Sequence, residues 1–182
     1  PFLFLSLPKQ GISNTGSTVR KPLKKNYLRA IALKSRLPAI ADSFLFVPLL
    51  YTGGIYYTQN QFDSSLACYK RAEGISESYP KPLHGSQRLY NRLGVMYYET
   101  GNYRQARNYF EKAIAQTPAG ETTLRANYQI NIASMLLKSG EPEQAKAVYE
   151  ALLPLNFFTN EIYHNLGIIS LGQKDYKKAA EQ

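Results

Sequence analysis

Few side chains in this sequence could do chemistry. Histidine occurs twice, as His84 and His164, and cysteine once, as Cys68. The histidines lack the spacing to each other or to carboxylates that a metal site needs. No phosphate-binding loop, dinucleotide glycine motif or nucleophile elbow is present. We therefore expect no catalysis, no bound metal, no cofactor and no small-molecule substrate.

The segments around these residues favour packing over reactivity. A single cysteine forms neither an intrachain disulfide nor a cysteine-based metal site, and Cys68 stands on a predicted helix where it is expected to pack. His84 lies in a connector that also contains Pro80 and Pro82, and His164 is expected in a groove or on the surface of a helix.

Composition indicates a folded chain. Of the 182 residues, 44% are hydrophobic and 19% are charged, which excludes a disordered polymer. No apolar run approaches the roughly 18 to 20 residues that span a bilayer. The run from Phe2 to Leu7 is either the tail of a signal or anchor segment or an apolar packing segment. The sequence leaves the compartment open, with the cytoplasm favoured.

Positive charge is concentrated at the start of the chain. The formal net charge is +9, and residues 1–40 carry +8 of it with no acidic residue. This segment is either an arm for nucleic acid, an anionic membrane surface or an acidic partner, or a solvated helix face with a flexible lead-in. Its basic residues are Lys9, Arg20, Lys21, Lys24, Lys25, Arg29, Lys34 and Arg36.

Both ends of the sequence suggest a part of a larger protein. Loop-forming residues dominate from Lys9 to Thr18, so residues 1–19 are predicted to be an irregular lead-in or linker. Pro1 is not an initiator methionine, and the sequence ends at Gln182 within a helical pattern.

Residues 87–120 set the pattern for the rest of the chain. Apolar and small residues recur there at steps of three and four in both halves, which predicts two amphipathic helices. Gly101 and Asn102 interrupt both stripes, and glycine adopts the left-handed cap conformation without steric cost. The two helices are therefore expected to fold back on each other.

The spacing in this stretch resembles the tetratricopeptide repeat, whose pattern is Trp-x2-Leu-Gly-x2-Tyr, then Ala-x3-Phe, then Pro. Tyrosine replaces the first tryptophan here. The alternative is an ordinary antiparallel helix pair in a globular bundle, and repetition along the chain decides against it. The matching residues are Tyr90, Leu93, Gly94, Tyr97, Ala106, Phe110 and Pro118.

The same pattern recurs on both sides of this stretch. The resemblance implies an all-α, right-handed superhelical solenoid of antiparallel helix pairs over residues 20–182. It consists of a partial repeat at 20–40, repeats at about 46–79, 87–120 and 126–159, and a truncated repeat at 160–182. The structural repeat positions are Gly53, Tyr56, Tyr90, Leu93, Gly94, Tyr97, Gly101, Ala106, Phe110, Ala113, Pro118, Ala133, Gly140, Ala145, Gly167 and Ala179.

By the same resemblance, the first helix of each pair lines a concave groove that binds a peptide or protein. The clamp that holds chaperone C-termini in this family is not matched, because Leu50 and Gly54 stand at its first two positions. The groove candidates are Arg88, Asn91, Arg92, Tyr98, Asn127, Asn131, Lys138, His164 and Asn165.

The repeat period is longer than the usual 34 residues. Small residues at Gly53, Gly94 and Ala133 are 41 and 39 residues apart, which resembles kinesin light chains, bacterial quorum-sensing regulators, and bacterial arrays that precede a caspase-like protease or a histidine kinase. The predicted function is a protein-binding module, the sensing or docking part of a larger regulatory protein. The alternatives are the regulatory region of an enzyme whose catalytic domain lies outside this chain, and nucleic-acid or membrane-surface binding through the basic segment.

Overall fold

The computed structural model describes residues 17–36 and 41–180 of the chain. Within these ranges all regular structure is helical, which confirms the all-α class. Most of the expected lead-in at residues 1–19 lies outside the described residues, and its last three positions already belong to α1. The α-helices are α1 (Ser17–Arg36), α2 (Phe46–Thr58), α3 (Phe62–Glu77), α4 (Ser86–Glu99), α5 (Tyr103–Ala115), α6 (Thr122–Lys138), α7 (Pro142–Leu152) and α8 (Thr159–Ala180).

Three tight turns join α2 to α3, α4 to α5 and α6 to α7. Each turn contains one residue with positive φ: Asn60 at 58°, Gly101 at 75° and Gly140 at 87°. Asparagine and glycine tolerate this left-handed conformation better than other residues. The predicted turn positions are therefore confirmed.

The same backbone hydrogen bond closes each of these turns. The N–H that follows the positive-φ residue donates to the carbonyl five residues earlier, as in Asn102 to Tyr97 at 2.9 Å and Glu141 to Leu136 at 2.9 Å. This bond is the outer one of the Schellman motif and satisfies a carbonyl that the helix end leaves unpaired. The chain therefore reverses direction at little energetic cost.

The starts of α7 and α2 contain proline at positions that a helix tolerates, but no side chain caps α2. Pro142 is the first residue of α7, and Pro48 is the third residue of α2, so both prolines lie in first turns. Asp42 and Ser43 are of the residue types that favour N-cap positions, but neither caps α2. A short 3-10 helix, Asp42–Leu45, precedes α2, and the capping residue Leu45 makes no side-chain hydrogen bond.

The chain divides into two compact units, Pro1–Met96 and Tyr97–Gln182, which we describe separately. In the first unit, Gly53 of α2 packs directly against the ring of Tyr69 of α3. Tyr69 is 0% exposed, and Ser65 donates its hydroxyl proton to the Gly53 carbonyl at 2.9 Å. Because Gly53 has no side chain, the Tyr69 ring occupies the space that a Cβ would need.

In the second unit, tyrosines and small residues pack the helices. The rings of Tyr97 and Tyr109 stack with centroids 5.3 Å apart. Phe110 and Tyr149 are fully buried, as is the repeat alanine Ala145. The second helices thus bury their inner faces as the repeat pattern predicts.

Helix α8 differs from the expected truncated repeat. The pattern places a turn at Lys174, but α8 runs without interruption from Thr159 to Ala180. The other turns have asparagine or glycine at the equivalent position, and both residue types adopt the left-handed conformation more readily than lysine. A continuous helix is the result.

We expect opposite effects of alanine at two equivalent glycines. A Cβ at Gly53 would lie 2.5 Å from Cε1 and 2.7 Å from Cδ1 of the Tyr69 ring. Because that ring is buried and cannot move aside, Gly53→Ala should lower the free energy of unfolding by about 1–3 kcal/mol.

Gly167→Ala is the matched control, because no described atom lies within 4 Å of its added Cβ. It should raise the free energy of unfolding by up to about 1 kcal/mol, through the higher helix propensity of alanine. Urea denaturation followed by circular dichroism measures both values. A Gly53→Ala protein as stable as the parent would contradict this account of the Gly53–Tyr69 contact.

Candidate partner-binding surface

The predicted groove residues lie on the first helices of the pairs. In the first unit these are Arg88, Asn91 and Arg92 on α4. Arg88 is exposed and Arg92 is half-buried. The remaining candidates belong to the second unit, where they stand at the end of α4, on α6 and on α8.

Three predicted groove residues are asparagines that the structure buries. Asn91 is 6% exposed, and Asn127 and Asn131 are each 5% exposed. A partner reaches side chains that are open to solvent, so these three amides have little surface to offer. Their role in binding stays a prediction, and the exposed candidates define the surface considered below.

The other candidates are at least partly open to solvent. His164 is exposed on α8, and Asn165 is half-buried. The side-chain amide of Asn165 donates to the Glu161 carbonyl one turn earlier, at 2.9 Å. This local bond uses one donor and leaves the amide oxygen of Asn165 available as an acceptor.

In the second unit, the exposed Lys138 is in contact with the half-buried Tyr98. Nζ of Lys138 lies 5.0 Å from the centroid of the Tyr98 ring. The ring of Tyr103 lies beside Tyr98, with centroids 6.1 Å apart. A cation over an aromatic face is attracted by the ring quadrupole, and the contact holds the flexible lysine near one position.

Ser134 of α6 and Tyr149 of α7 continue this arrangement. The hydroxyl groups of Ser134 and Tyr149 are hydrogen-bonded at 2.9 Å. Burial raises the pKa of Tyr149 to about 12, the bond to Ser134 opposes the rise, and the negative charge of Glu161 and the ionised form of Tyr98 add to it. We call Tyr98, Tyr103, Ser134 and Lys138 the tyrosine–lysine cluster; Tyr149 is fully buried and supports it through the bond to Ser134.

The chemistry of this cluster is that of binding. Burial raises the pKa of Tyr98 to about 12, with further contributions from Glu99 and Tyr103, so its hydroxyl is neutral at physiological pH. The cluster therefore presents neutral hydroxyl groups, aromatic faces and one ammonium group. Such groups recognise carboxylates, carbonyls and aromatic side chains.

Tyr103 was not among the sequence candidates, although the repeat contains a signal for it. Tyr103 stands two residues after Gly101, and Tyr98 stands three residues before Gly101. The first unit has an aromatic pair at the same offsets from Asn60, Tyr57 and Phe62, whose rings meet edge to face at 5.7 Å. Alignment of the two turns would have identified Tyr103.

The residues first considered for chemistry are not brought together. Among the described residues, no three histidine, cysteine, aspartate or glutamate side chains form a group that could hold a metal ion. Burial raises the pKa of the half-buried Cys68 thiol, only partly opposed by Arg71, so the thiol is protonated at neutral pH. In the described ranges no helix has the length and apolar character to cross a bilayer.

Paired helices, left-handed turns and buried small residues define this chain as an α-helical repeat protein, a class whose members bind other proteins. The tetratricopeptide repeat family profile matches residues 46–119 and 85–156, which together exceed half of the chain. The chain belongs to the tetratricopeptide repeat family, and it is a protein–protein interaction module.

Curated relatives include subunits of a large assembly and a regulatory protein. The anaphase-promoting complex subunit CDC16 of Saccharomyces cerevisiae is 26% identical over 141 residues, which are 75% of this chain and 16% of the relative. Anaphase-promoting complex subunit 6 of Arabidopsis thaliana is 28% identical over 120 residues, 66% of this chain and 21% of the relative. Regulatory protein RapG of Bacillus subtilis is 22% identical over 144 residues, 74% of this chain and 39% of the relative. The chain thus spans less than half the length of each of these relatives.

The fold is also found among solved structures. BtubC (BKLC) from P. vanneervenii superimposes with a TM-score of 0.63, over 88% of this chain and 69% of that protein. The sequence identity is 18%, so the likeness concerns the fold alone.

The pKa of Tyr149 predicts how stability depends on pH. Its value of about 12 in the folded chain exceeds the ordinary 10.0, so the folded state holds this proton more tightly than the unfolded state. The resulting stabilisation is complete below pH 10 and is lost as the pH rises towards 12. Over this range, we expect the free energy of unfolding to fall less in Tyr149→Phe than in the parent. Urea titrations at each pH measure this free energy.

Tyr163→Phe is the matched control, because the Tyr163 side chain is 63% exposed. This variant should follow the parent's dependence on pH. An equal loss of stability in Tyr149→Phe and the parent would argue against the burial of the Tyr149 hydroxyl.

Proposed function

We propose that the tyrosine–lysine cluster is the part of this module that grips a peptide segment of a protein partner. The observation that carries the proposal is the position of Lys138, with Nζ held 5.0 Å from the Tyr98 ring at the end of a first helix. Lys138 is exposed and Tyr98 is half-buried, so the pair has a free side towards solvent.

The pairing suits recognition for two physical reasons. A lysine that already rests on an aromatic ring loses less conformational freedom when it binds a carboxylate or carbonyl than one that moves freely. Tyrosine adds a large, rigid contact area with a polar end, which is why it is enriched where binding energy is concentrated. Together they fit a segment with an acidic side chain next to an apolar or aromatic one.

The other exposed candidates extend the surface within their own units. We propose that Arg88 and Arg92 contribute in the first unit, and that His164 and Asn165 contribute in the second. Peptides bound along several helices in this way are held by side-chain hydrogen bonds and by aromatic anchors.

We further propose that the module is the sensing or docking part of a larger regulatory protein. The similarity to a protein named as regulatory supports this role, and so does the short span of the chain against its relatives. In such an arrangement, the partner binds one of two states of the protein more tightly than the other. Its binding therefore shifts a neighbouring part of the protein towards that state.

Peptide selection followed by titration tests the binding site. Peptides selected from a random library against the parent chain should bind Lys138→Gln about tenfold more weakly, because the loss of the ammonium removes a charge-assisted contact. Fluorescence anisotropy with the labelled peptides measures the dissociation constants.

Lys112→Gln is the control, because Lys112 also rests on a tyrosine, with Nζ 5.6 Å from the Tyr109 ring, but stands on a second helix. Its affinity for the selected peptides should match that of the parent. Unchanged affinity in Lys138→Gln, or a larger loss in Lys112→Gln, would place the binding surface elsewhere.

A further inference from the structure

Helix α1 is attached to the first unit by one face only. Nζ of Lys24 lies 4.3 Å from the centroid of the Tyr56 ring, which fixes one end of the contact. Tyr27 stacks on Tyr51 with centroids 5.5 Å apart and planes 7° from parallel. These contacts orient the helix about its own axis and so determine which residues face outwards.

The cations of α1 divide between the two faces. Lys34 pairs with Asp42 at 3.0 Å on the attached side. Lys25, Arg29 and Arg36 are exposed on the outward side, and α1 contains no acidic residue that could neutralise them. Among the described side chains of α1, three cations therefore form a row on the outward side.

Apolar side chains alternate with this row. Leu28 is 40% exposed, and Ala32 is exposed one turn further along. Together with Lys25 and Arg29 they stand at positions i, i+3, i+4 and i+7, which is the arrangement of a hole that receives a side chain from a facing helix. A shallow, open depression of about 450 Å³ is lined by these four residues and Lys24.

A second hole follows the first directly. Arg29, Ala32, Leu33 and Arg36 repeat the spacing i, i+3, i+4 and i+7, and Leu33 is 46% exposed. The two holes share Arg29 and Ala32 and are offset by four residues. The first hole has Lys25 and Ala32 at its ends along the helix and Leu28 and Arg29 at its sides. The second hole has Arg29 and Arg36 at its ends and Ala32 and Leu33 at its sides.

We propose that this outward face of α1 docks an acidic amphipathic helix of a protein partner. Apolar residues four positions apart on the partner helix would enter the two holes, and glutamate or aspartate residues beside them would meet Lys25, Arg29 and Arg36. The charge of the segment fits such a partner, because residues 1–40 carry eight basic residues and no acidic residue. The surface is separate from the tyrosine–lysine cluster, so this inference does not depend on the cluster.

The arrangement favours a helix over the other anionic partners. With a helical step of about 100° per residue, the three cations lie within about 40° of one another, and Leu28 and Leu33 lie about 140° apart on either side. A helix that lies on a membrane places its apolar residues centrally and its cations at the edges, which is the reverse. Nucleic-acid phosphates would neutralise the cations and leave both leucines in water.

A synthetic helical peptide tests the proposal on the whole chain. The probe carries a fluorescein label, two leucines four residues apart, and glutamates on both sides of them; a matched peptide has glutamine in place of glutamate. We expect the glutamate peptide to bind more tightly than the glutamine peptide, with an affinity that falls as salt is added. No binding of the glutamate peptide, or equal binding of both peptides, would overturn the proposal.

Charge reversal locates the site. Lys25→Glu with Arg29→Glu should weaken binding of the glutamate peptide about tenfold or more, because repulsion replaces attraction. Lys81→Glu with Arg104→Glu changes the net charge equally at two exposed residues elsewhere and should leave the affinity unchanged. Circular dichroism melting curves establish that both variants fold. Equal weakening in the two variants would show a long-range charge effect and overturn the site.

Ala32→Arg separates a helical partner from a polyanion. The substitution adds a cation and fills both holes at once, so it should weaken binding of the glutamate peptide. Duplex DNA and phosphatidylserine vesicles, which need charge and no holes, should bind this variant more tightly than the parent if they bind at all. Tighter binding of the glutamate peptide to Ala32→Arg would contradict docking into the holes, as would DNA or vesicle binding that exceeds peptide binding in the parent.

Discussion

The fit of the Tyr69 ring over Gly53, a residue without a side chain, is the contact on which the pairing of α2 and α3 depends. Tyr69 is fully buried against Gly53, at a distance that leaves no room for a Cβ. A hydroxyl bond from Ser65 to the Gly53 carbonyl holds the same two helices together. In the second unit, the hydroxyl of the buried Tyr149 is hydrogen-bonded to the hydroxyl of Ser134, which follows the repeat alanine Ala133 in the sequence. The repeat thus joins close helix approach to the burial of a large ring.

This packing decides where binding chemistry can occur. Tyr149, at the contact between α6 and α7, is fully buried, and burial raises the pKa of its hydroxyl to about 12. Exposed cations remain at helix ends and on outward faces, where Lys138 rests on Tyr98 and where Arg29 stands between two apolar residues of α1. Aromatic contacts therefore serve twice in this molecule, since they fill the core and also position charged groups at its edge.

Two surfaces of different chemistry follow from the same construction. The tyrosine–lysine cluster offers one ordered cation and neutral hydroxyl groups, which suits a short segment with mixed polarity. The outward face of α1 offers a row of cations between apolar side chains, which suits a long acidic helix. Each surface lies within one unit of the chain, so each can bind without the other.

The sequence by itself determined the class of fold, the turns and the family, because these depend on local rules. Asn60, Gly101 and Gly140 mark the turns since few residues accept a left-handed backbone, and periodic apolar residues mark the helices. Only the tertiary structure decided which faces are covered. Asn91, Asn127 and Asn131 were placed in the groove by repeat position but are buried, and Tyr103 joins the cluster without having been predicted. Periodicity gives the direction of a side chain around its own helix, and neighbouring helices decide whether that direction is open to solvent.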